Sequence, residues 1–365
     1  MGKIRVGLLF GGRSVEHEVS LRSATSIFHA LDAERYDVTL IAIDHEGRWR
    51  LGAGPELLPE KALHGEEVNL AAVPGSALTP VDPQAAATSA RSLDVVFPII
   101  HGRGGEDGQL QGLLELAELP YVGSGVLSSA VQMDKDVARR LLAASGLPVV
   151  PDFVLRTVDP STLEGRASAA EAAVDRLGLP LFVKPANSGS SIGISKAGDL
   201  ASLLESIDKA ARFDTKVVIE KAIDAREIEV AVLGNTRPEA SVPGEILPNQ
   251  EFYDYEAKYL NESTELLVPA PLPEDVGERV RSLALKAFQA LEGEGIARVD
   301  FFLEKETGEI CINELNSLPG FTEGSMFPRL WAASGLPYPA LLERMIDLAI
   351  ERHSRRSKLV TRYSS

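Results

Sequence analysis

Twice before residue 120 an apolar run ends in a glycine-rich turn that leads directly into a helical pattern. Residues 4–10 (IRVGLLF) read as a strand, GGRSVEHE follows, and residues 20–31 have helical spacing. Residues 93–100 (LDVVFPII) repeat the arrangement, with HGRGGEDG as the turn and residues 109–118 as the helix. Residues 36–43 supply a further strand between them. Apolar runs alternating with helical periods predict an α/β unit around a parallel sheet, with loops at the strand C-termini forming a site.

After YVGSG (121–125) the pattern changes. Helices are expected over 134–145, 167–177 and 197–211, and strands over 149–155, 181–184 and 216–221. This is a small α+β module. The remainder is strand-rich, with strands over 227–233, 295–303 and 309–315 and helices over 274–291 and 338–352. A chain of 365 residues has room for about two or three domains. The expected boundaries are 1–125, 126–221 and 222–365. Residues 52–91, rich in Ala, Pro and Gly, read as an irregular insertion carrying little chemistry.

A formal charge of −16 argues against a general nucleic-acid binder, which needs a basic surface. It leaves room for ATP held in a local pocket of lysines. The single cysteine, Cys311, excludes an internal disulfide and a multi-cysteine zinc site, and fits a reducing cytoplasm. Flanked by Ile310 and Ile312, it is expected in the core. The apolar run at residues 6–10 is too short for a signal peptide, and no run approaches the ~20 residues of a membrane helix. The expectation is a soluble cytoplasmic protein without a membrane partner.

The segment VKPANSGSSIG (183–193) resembles a phosphate cradle, yet its lysine precedes the glycines, whereas a P-loop places it after them. Lys184 ends an apolar strand, where a lysine is partly buried and needs a partner. Glu220-Lys221 repeats that pattern after Val217, Val218 and Ile219. Lys135 opens a helix, where a cation opposes the helix dipole unless an anion lies nearby. Each lysine alone also reads as an ordinary surface residue; together they read as a positive pocket on an acidic protein.

The strongest pattern lies near the C-terminus: RVDFF (298–302), a turn containing Gly308, then NELN (313–316). Strand alternation puts Arg298, Asp300 and Phe302 on one face, and Glu314 and Asn316 on one face. A hairpin would join the two sets. Two carboxylates and an amide oxygen form a hard-oxygen set suited to Mg²⁺, which is usually completed by substrate phosphates. A solvated hairpin face with incidental ion pairs is the alternative reading.

SLPGFTEGSM (317–326) follows, and a Gly after Pro at a strand end offers a backbone N–H that can stabilise an oxyanion. A plain loop explains it equally well. HGRGGEDG (101–108) favours a polar ligand at a helix N-terminus, with a structural turn as the other reading. Glu16 by itself fits a surface or capping carboxylate as well as a ligand. YDYEAKY (253–259) could cover a ligand or be an ordinary loop. The six histidines lack metal spacing, and no G-x-S-x-G marks a serine nucleophile.

Taken together, GGRSVEHEVS, HGRGGEDGQLQG, VGSG with MDK, VKPANSGSSIG, FYDYEAKY, RVDFF and NELNSLPGFTEGS resemble, in order and along nearly the whole chain, the D-alanine–D-alanine ligases of the ATP-grasp superfamily. The resemblance implies an ATP-grasp fold in three parts: an N-terminal parallel-sheet domain, a small central α+β domain and a sheet-rich C-terminal domain. It implies ATP, two Mg²⁺ ions with Mn²⁺ as a substitute, D-alanine as substrate, and a homodimer. By motif position, Lys135 and Lys184 would hold phosphates, with the backbone of 187–191, including Ser190 and Ser191, closing as a lid. Glu220, Lys221 and Ile223 would line the adenine site, Glu227 would meet the ribose, and Phe302 would pack under the base.

Asp300, Glu314 and Asn316 would ligate the metals, with Asn313 beside the nucleotide. Glu16 would bind the first ammonium group and connect to Ser190 and Tyr259, with His101 nearby. Arg298 and the Gly320 N–H would stabilise the tetrahedral oxyanion. Ser325, the Met326 N–H and Lys258, which also borders the nucleotide, would anchor the second carboxylate. Tyr259 resembles the dipeptide-forming members, leaving a D-lactate or D-serine acceptor as the alternative. A nucleotide-sensing or dinucleotide-binding protein built on the first strand–GG–helix is the other class, and it lacks a Rossmann fingerprint.

Overall fold

The structure, a computed structural model, describes residues 2–52, 59–82, 91–156, 165–189, 192–247 and 265–360. Three sheets carry the architecture among these residues. The first contains β1 (Ile4–Gly11), β2 (Tyr36–Ile43), β3 (Trp49–Leu51), β4 (Glu66–Leu70), β5 (Leu78–Pro80) and β6 (Val95–Pro98), in the order β5-β4-β3-β2-β1-β6. β1 lies parallel to β2 and β6, as the repeated strand–turn–helix pattern predicts.

The span 52–91 departs from the expectation of an irregular insertion. Its described part contributes β4 and β5, which extend the sheet through antiparallel pairing onto β3. Val68 and Leu78 are buried there beside Leu51. Such strands offer only one or two buried positions each, too few to leave a readable period of two.

The second sheet has β7 (Asp152–Arg156), β8 (Leu181–Pro185), β9 (Ser195–Ala197) and β10 (Lys216–Lys221) in the antiparallel order β7-β10-β8-β9. Helices Arg166–Leu177 and Leu200–Ala211 pack against it through Ala170, Ala173, Leu203 and Ile207. The second helix starts later than its sequence pattern predicts, because Ser195–Ala197 pairs with β8 and Asp199 forms a capping box with Ser202.

The third sheet is antiparallel: β11 (Ala225–Gly234), β12 (Glu239–Ala240), β13 (Gly244–Leu247), β14 (Glu265–Leu267), β15 (Gly295–Glu304) and β16 (Ile310–Asn316). Its order is β14-β13-β11-β15-β16, with β12 on β11. Helix Glu274–Ala290 covers one face through Val280, Ala284 and Phe288. Cys311 is half-buried, not in the core, because Ile310 and Ile312 take the inner face of β16 and alternation turns Cys311 outward.

Helix Tyr338–Arg356 fixes the first sheet to the third. Its Leu341, Leu342, Met345 and Ile346 join a cluster containing Val6, Leu8 and Phe10 of β1 and Ala231, Leu233 and Ile296 of the third sheet. The opposite face of β1, through Leu9, packs with Ile41, Leu110 and Leu114. Replacing fully buried Ile346 with Ala should cost about 2–5 kcal/mol in chemical denaturation. Leu359→Ala, at a side chain 68% exposed, should change stability by less than about 0.5 kcal/mol. Equal small effects would contradict a core shared between the two sheets.

Candidate functional site

The hairpin β15–β16 closes through a turn in which the Gly308 N–H donates to the Glu304 carbonyl at 3.0 Å. Its register sets Arg298 opposite Asn316 and Asp300 opposite Glu314. On the other side of β15, Glu229 of β11 faces Asp300, and Glu227 faces Phe302. Glu229, Asp300 and Glu314 thus form one row across three strands. The ladder shifts between Asp300 and Phe301, so that Phe301 faces Ile312. This irregularity leaves Asn313 and Glu314 side by side, lining one cavity with Glu227, Asp300 and Phe302.

Cations from several elements meet this row. Arg298 Nε lies 2.7 Å from Asp300 Oδ1 and 3.0 Å from Glu229 Oε2, and its Nη2 donates to Asp300 Oδ2 at 2.7 Å. Asn316 donates to Asp300 Oδ2 at 2.9 Å. Burial opposes the charge of Arg298, but the carboxylates of Asp300 and Glu229 outweigh it and keep the guanidinium charged.

Lys135 begins helix Lys135–Ala144, whose cap Asp134 accepts the Val137 N–H at 3.1 Å. Its buried ammonium reaches Glu314 Oε2 at 3.3 Å and donates to the Ser188 carbonyl at 2.7 Å. Lys184, at the end of β8, pairs with Glu220 on adjacent β10 and lies 3.4 Å from Asn313 Oδ1. Burial alone would raise the Glu220 carboxyl, yet the charges of Arg139 and Lys184 hold it below the usual carboxylate range. Lys135 and Lys184 are therefore buried and anion-paired and not surface lysines, whereas Lys221 is exposed as the surface reading has it.

On the N-terminal side, buried Glu16 follows the GGRS turn, with its N–H donating to Ser14 Oγ at 3.1 Å. Gly102 has φ of 76°, and a Cβ there would come within 2.8 Å of Glu16 Oε2. A Cβ on Gly189 would lie 3.3 Å from the same oxygen, so the end of the VKPANSG segment rests against Glu16. His101 is buried, which lowers its pKa and keeps it neutral. Its Nδ1 lies 3.1 Å from the Leu318 carbonyl and must be the protonated nitrogen, leaving Nε2 to face Ser23 Oγ at 3.5 Å.

Leu318 belongs to the segment that follows β16. Farther along it, a Cβ on Gly320 would lie 3.2 Å from Ser325 Oγ, and Ser325 Oγ is 2.6 Å from Thr322 Oγ1. Met326 is buried at the start of helix Met326–Ala333. Of the remaining residues singled out by sequence, Lys221 is exposed and Ile223 half-buried. Ser190, Ser191, Lys258 and Tyr259 lie outside the described residues.

Three residues at this site escaped the sequence reading. Arg139 is four residues after Lys135 on the same buried helix face as Ala138 and Leu142, a spacing that could have disclosed it. Glu229 follows Glu227 by one strand repeat. Glu106 lies within HGRGGEDG, but nothing in that turn told it apart from Asp107. Its Oε2 accepts the Gly102 N–H at 2.5 Å and its Oε1 the Leu318 N–H at 3.1 Å.

Comparison with known proteins places this arrangement in context. Residues 5–124 match the family described as D-ala D-ala ligase N-terminus, and residues 141–347 match D-ala D-ala ligase C-terminus. The chain is 52% identical over 361 residues to D-alanine–D-alanine ligase A of Chromobacterium violaceum, with 96% of each chain covered. It is 50% identical over 370 residues to D-alanine–D-alanine ligase of Shouchella clausii, with 98% of each covered. The D-alanine-D-alanine ligase of Coxiella burnetii has a similar structure, with a TM-score of 0.85 at 38% identity over 98% of this chain and 97% of that one. The VanG D-Ala:D-Ser ligase of Enterococcus faecalis gives 0.84 at 32% identity, over 95% and 100%.

Burial, reinforced by the Glu16 carboxylate, pushes Glu106 up to about 8. The folded protein then keeps a proton that the unfolded chain loses near the ordinary value of 4.5. The resulting stabilisation is complete at low pH and disappears as pH rises through about 8. Melting temperatures from about pH 5 to pH 9 should therefore fall more steeply for the wild type than for Glu106→Gln. Parallel curves would contradict the shift.

Proposed function

The chain belongs to the D-alanine–D-alanine ligase family, and from that membership we propose that it joins two D-alanines into D-alanyl-D-alanine while ATP becomes ADP and phosphate. The product is a building block of peptidoglycan. The observation that carries this reading is the row of Asp300 and Glu314 beside Asn316, met by Lys135 and with Lys184 at Asn313. The relatives of about half identity over nearly the whole chain carry the name D-alanine–D-alanine ligase, so an alternative acceptor is not favoured.

In the first step a D-alanine carboxylate attacks the γ-phosphorus of ATP, and ADP leaves. In the second, the amine of the other D-alanine attacks the acyl-phosphate carbonyl, loses a proton, and phosphate leaves with the bonding pair. In this reading Lys135 and Lys184 exchange Glu314 and Glu220 for ATP phosphates. Glu220, Lys221, Ile223, Glu227 and Phe302 surround the nucleoside, and Glu16 receives the first ammonium group. Arg298 and the Gly320 N–H face the developing oxyanion, and Ser325 and Met326 hold the second carboxylate. Most of these groups orient reactants and neutralise charge, which is what phosphoryl and acyl transfer require.

The donor set fits a hard divalent cation, since Asp300 and Glu314 are carboxylates that already stand against cationic side chains. Asp300, Glu314 and Asn316 would hold it, and we retain two Mg²⁺ ions as the expectation. Bound there, the metal supplies neutralisation of phosphoryl oxygens. The division at 1–125, 126–221 and 222–365 belongs to the same proposal, with ATP between the second and third parts.

ADP release by purified protein with Mg²⁺ should depend on added D-alanine; release at an equal rate without it would overturn the reading. Glu314→Ala should lower kcat by at least about a hundredfold with far-UV circular dichroism unchanged. Near-normal turnover at ordinary Mg²⁺ would remove the metal assignment. Lys184→Ala should raise the KM for ATP by about ten- to a hundredfold, as expected for a lost charge-assisted hydrogen bond. An unchanged KM would argue against the phosphate role.

A further inference from the structure

We propose that Glu106 is a positioning residue for the acyl-transfer step, whose two carboxyl oxygens hold the Leu318–Phe321 backbone, and with it the Gly320 amide, against the N-terminal domain. This rests on the ligase reading above. The HGRGGED turn grips Leu318 at both of its backbone polar groups. Glu106 Oε1 accepts the Leu318 N–H at 3.1 Å, and His101 Nδ1 donates to the Leu318 carbonyl at 3.1 Å. Three residues later Phe321 is held similarly: its N–H points to Ser23 Oγ at 3.5 Å, and its carbonyl accepts Tyr338 OH at 2.5 Å. Pro319 and Gly320 lie between these two fixed points.

The anchor itself is stiff. Glu106 Oε2 closes back on its own turn by accepting the Gly102 N–H at 2.5 Å, and the Glu106 N–H donates to the Gly102 carbonyl at 3.0 Å. Gly105 packs so closely that a Cβ there would lie 2.0 Å from the Ile100 carbonyl oxygen. Gln111 Nε2 also donates to the Gly105 carbonyl at 2.7 Å. Glu106 therefore sits on a turn braced by its own hydrogen bonds and reaches across to a segment more than 200 residues away.

Chemistry explains why a carboxyl group occupies this position. Two N–H donors converge from different parts of the chain, and a carboxyl group presents an oxygen with lone pairs to each, even when one oxygen also carries the proton. A glutamine has the same reach but offers one oxygen and one NH₂, so one of the two N–H groups would face another donor. The carboxyl group is also close enough to Glu16 and Arg298 to feel both charges. It thus lies near both the residue proposed for the first ammonium group and the one proposed for the oxyanion. A displacement of about 1 Å in a group that acts only in the transition state can cost about a hundredfold in rate.

The full-length protein should be assayed with ATP, Mg²⁺ and D-alanine as wild type, Glu106→Gln and Gln111→Ala. Gln111→Ala removes one hydrogen bond to the Gly105 carbonyl and leaves both Glu106 contacts in place. Glu106→Gln should lower kcat by about ten- to a hundredfold with the KM for ATP within twofold, while Gln111→Ala stays near wild type. Hydrogen exchange over 317–321 should be faster in Glu106→Gln, a readout independent of turnover. Unchanged kcat in Glu106→Gln, equal losses in both variants, or unaltered exchange would each overturn the proposal. A wild type inactive on D-alanine would instead overturn the ligase reading, with the exchange experiment still testing the clamp. If Glu106→Gln is too unstable to purify, Glu106→Asp, one methylene short of spanning both donors, should give the same kinetic split and the same faster exchange.

Discussion

The site depends on holding several carboxylates close together on a half-buried sheet face. Two like charges about 4 Å apart repel by about 4 kcal/mol at an effective dielectric of 20, so such a row needs compensating charge. Arg298 lies beside the row and spans Asp300 and Glu229, while Lys135 approaches Glu314 from another layer. Lys184 and Arg139 neutralise Glu220 next to it. These pairings bring the second sheet and helix Lys135–Ala144 onto the hairpin β15–β16. In the proposed function Lys135 and Lys184 would meet phosphates, and binding would then be an exchange of partners and not a desolvation of bare charges.

The N-terminal sheet reaches this centre by a different route. Apolar packing of helix Tyr338–Arg356 joins it to the third sheet, and polar contacts through Leu318 set the local geometry. The shared core gives affinity between the two parts, and the backbone contacts give registry. Glu16 therefore comes within electrostatic reach of Glu106, whose carboxyl group also feels Arg298 of β15.

Much of this was legible in sequence because the signals were local. Strand alternation grouped Asp300 with Arg298 and Phe302, and Glu314 with Asn316, and the hairpin register sets Asp300 directly across from Glu314. The parallel pairing of β1 with β2 and β6 followed from strand–turn–helix repetition. Features set by tertiary contact were not legible. The irregularity after Asp300 that brings Asn313 beside Glu314 has no glycine or proline to announce it. Glu106 resembles any acidic turn residue until Leu318 is seen against it, and β4 and β5 are too short to show a period.

The central claim is that this constellation ligates one D-alanine to another. Its most direct test is mass analysis of the products formed from ATP, Mg²⁺ and D-alanine, alone and with D-serine and D-lactate as competitors. The account predicts D-alanyl-D-alanine as the dominant product in both mixtures, formed mole for mole with phosphate. Phosphate release without dipeptide, or a dominant mixed product carrying D-serine or D-lactate, would contradict it.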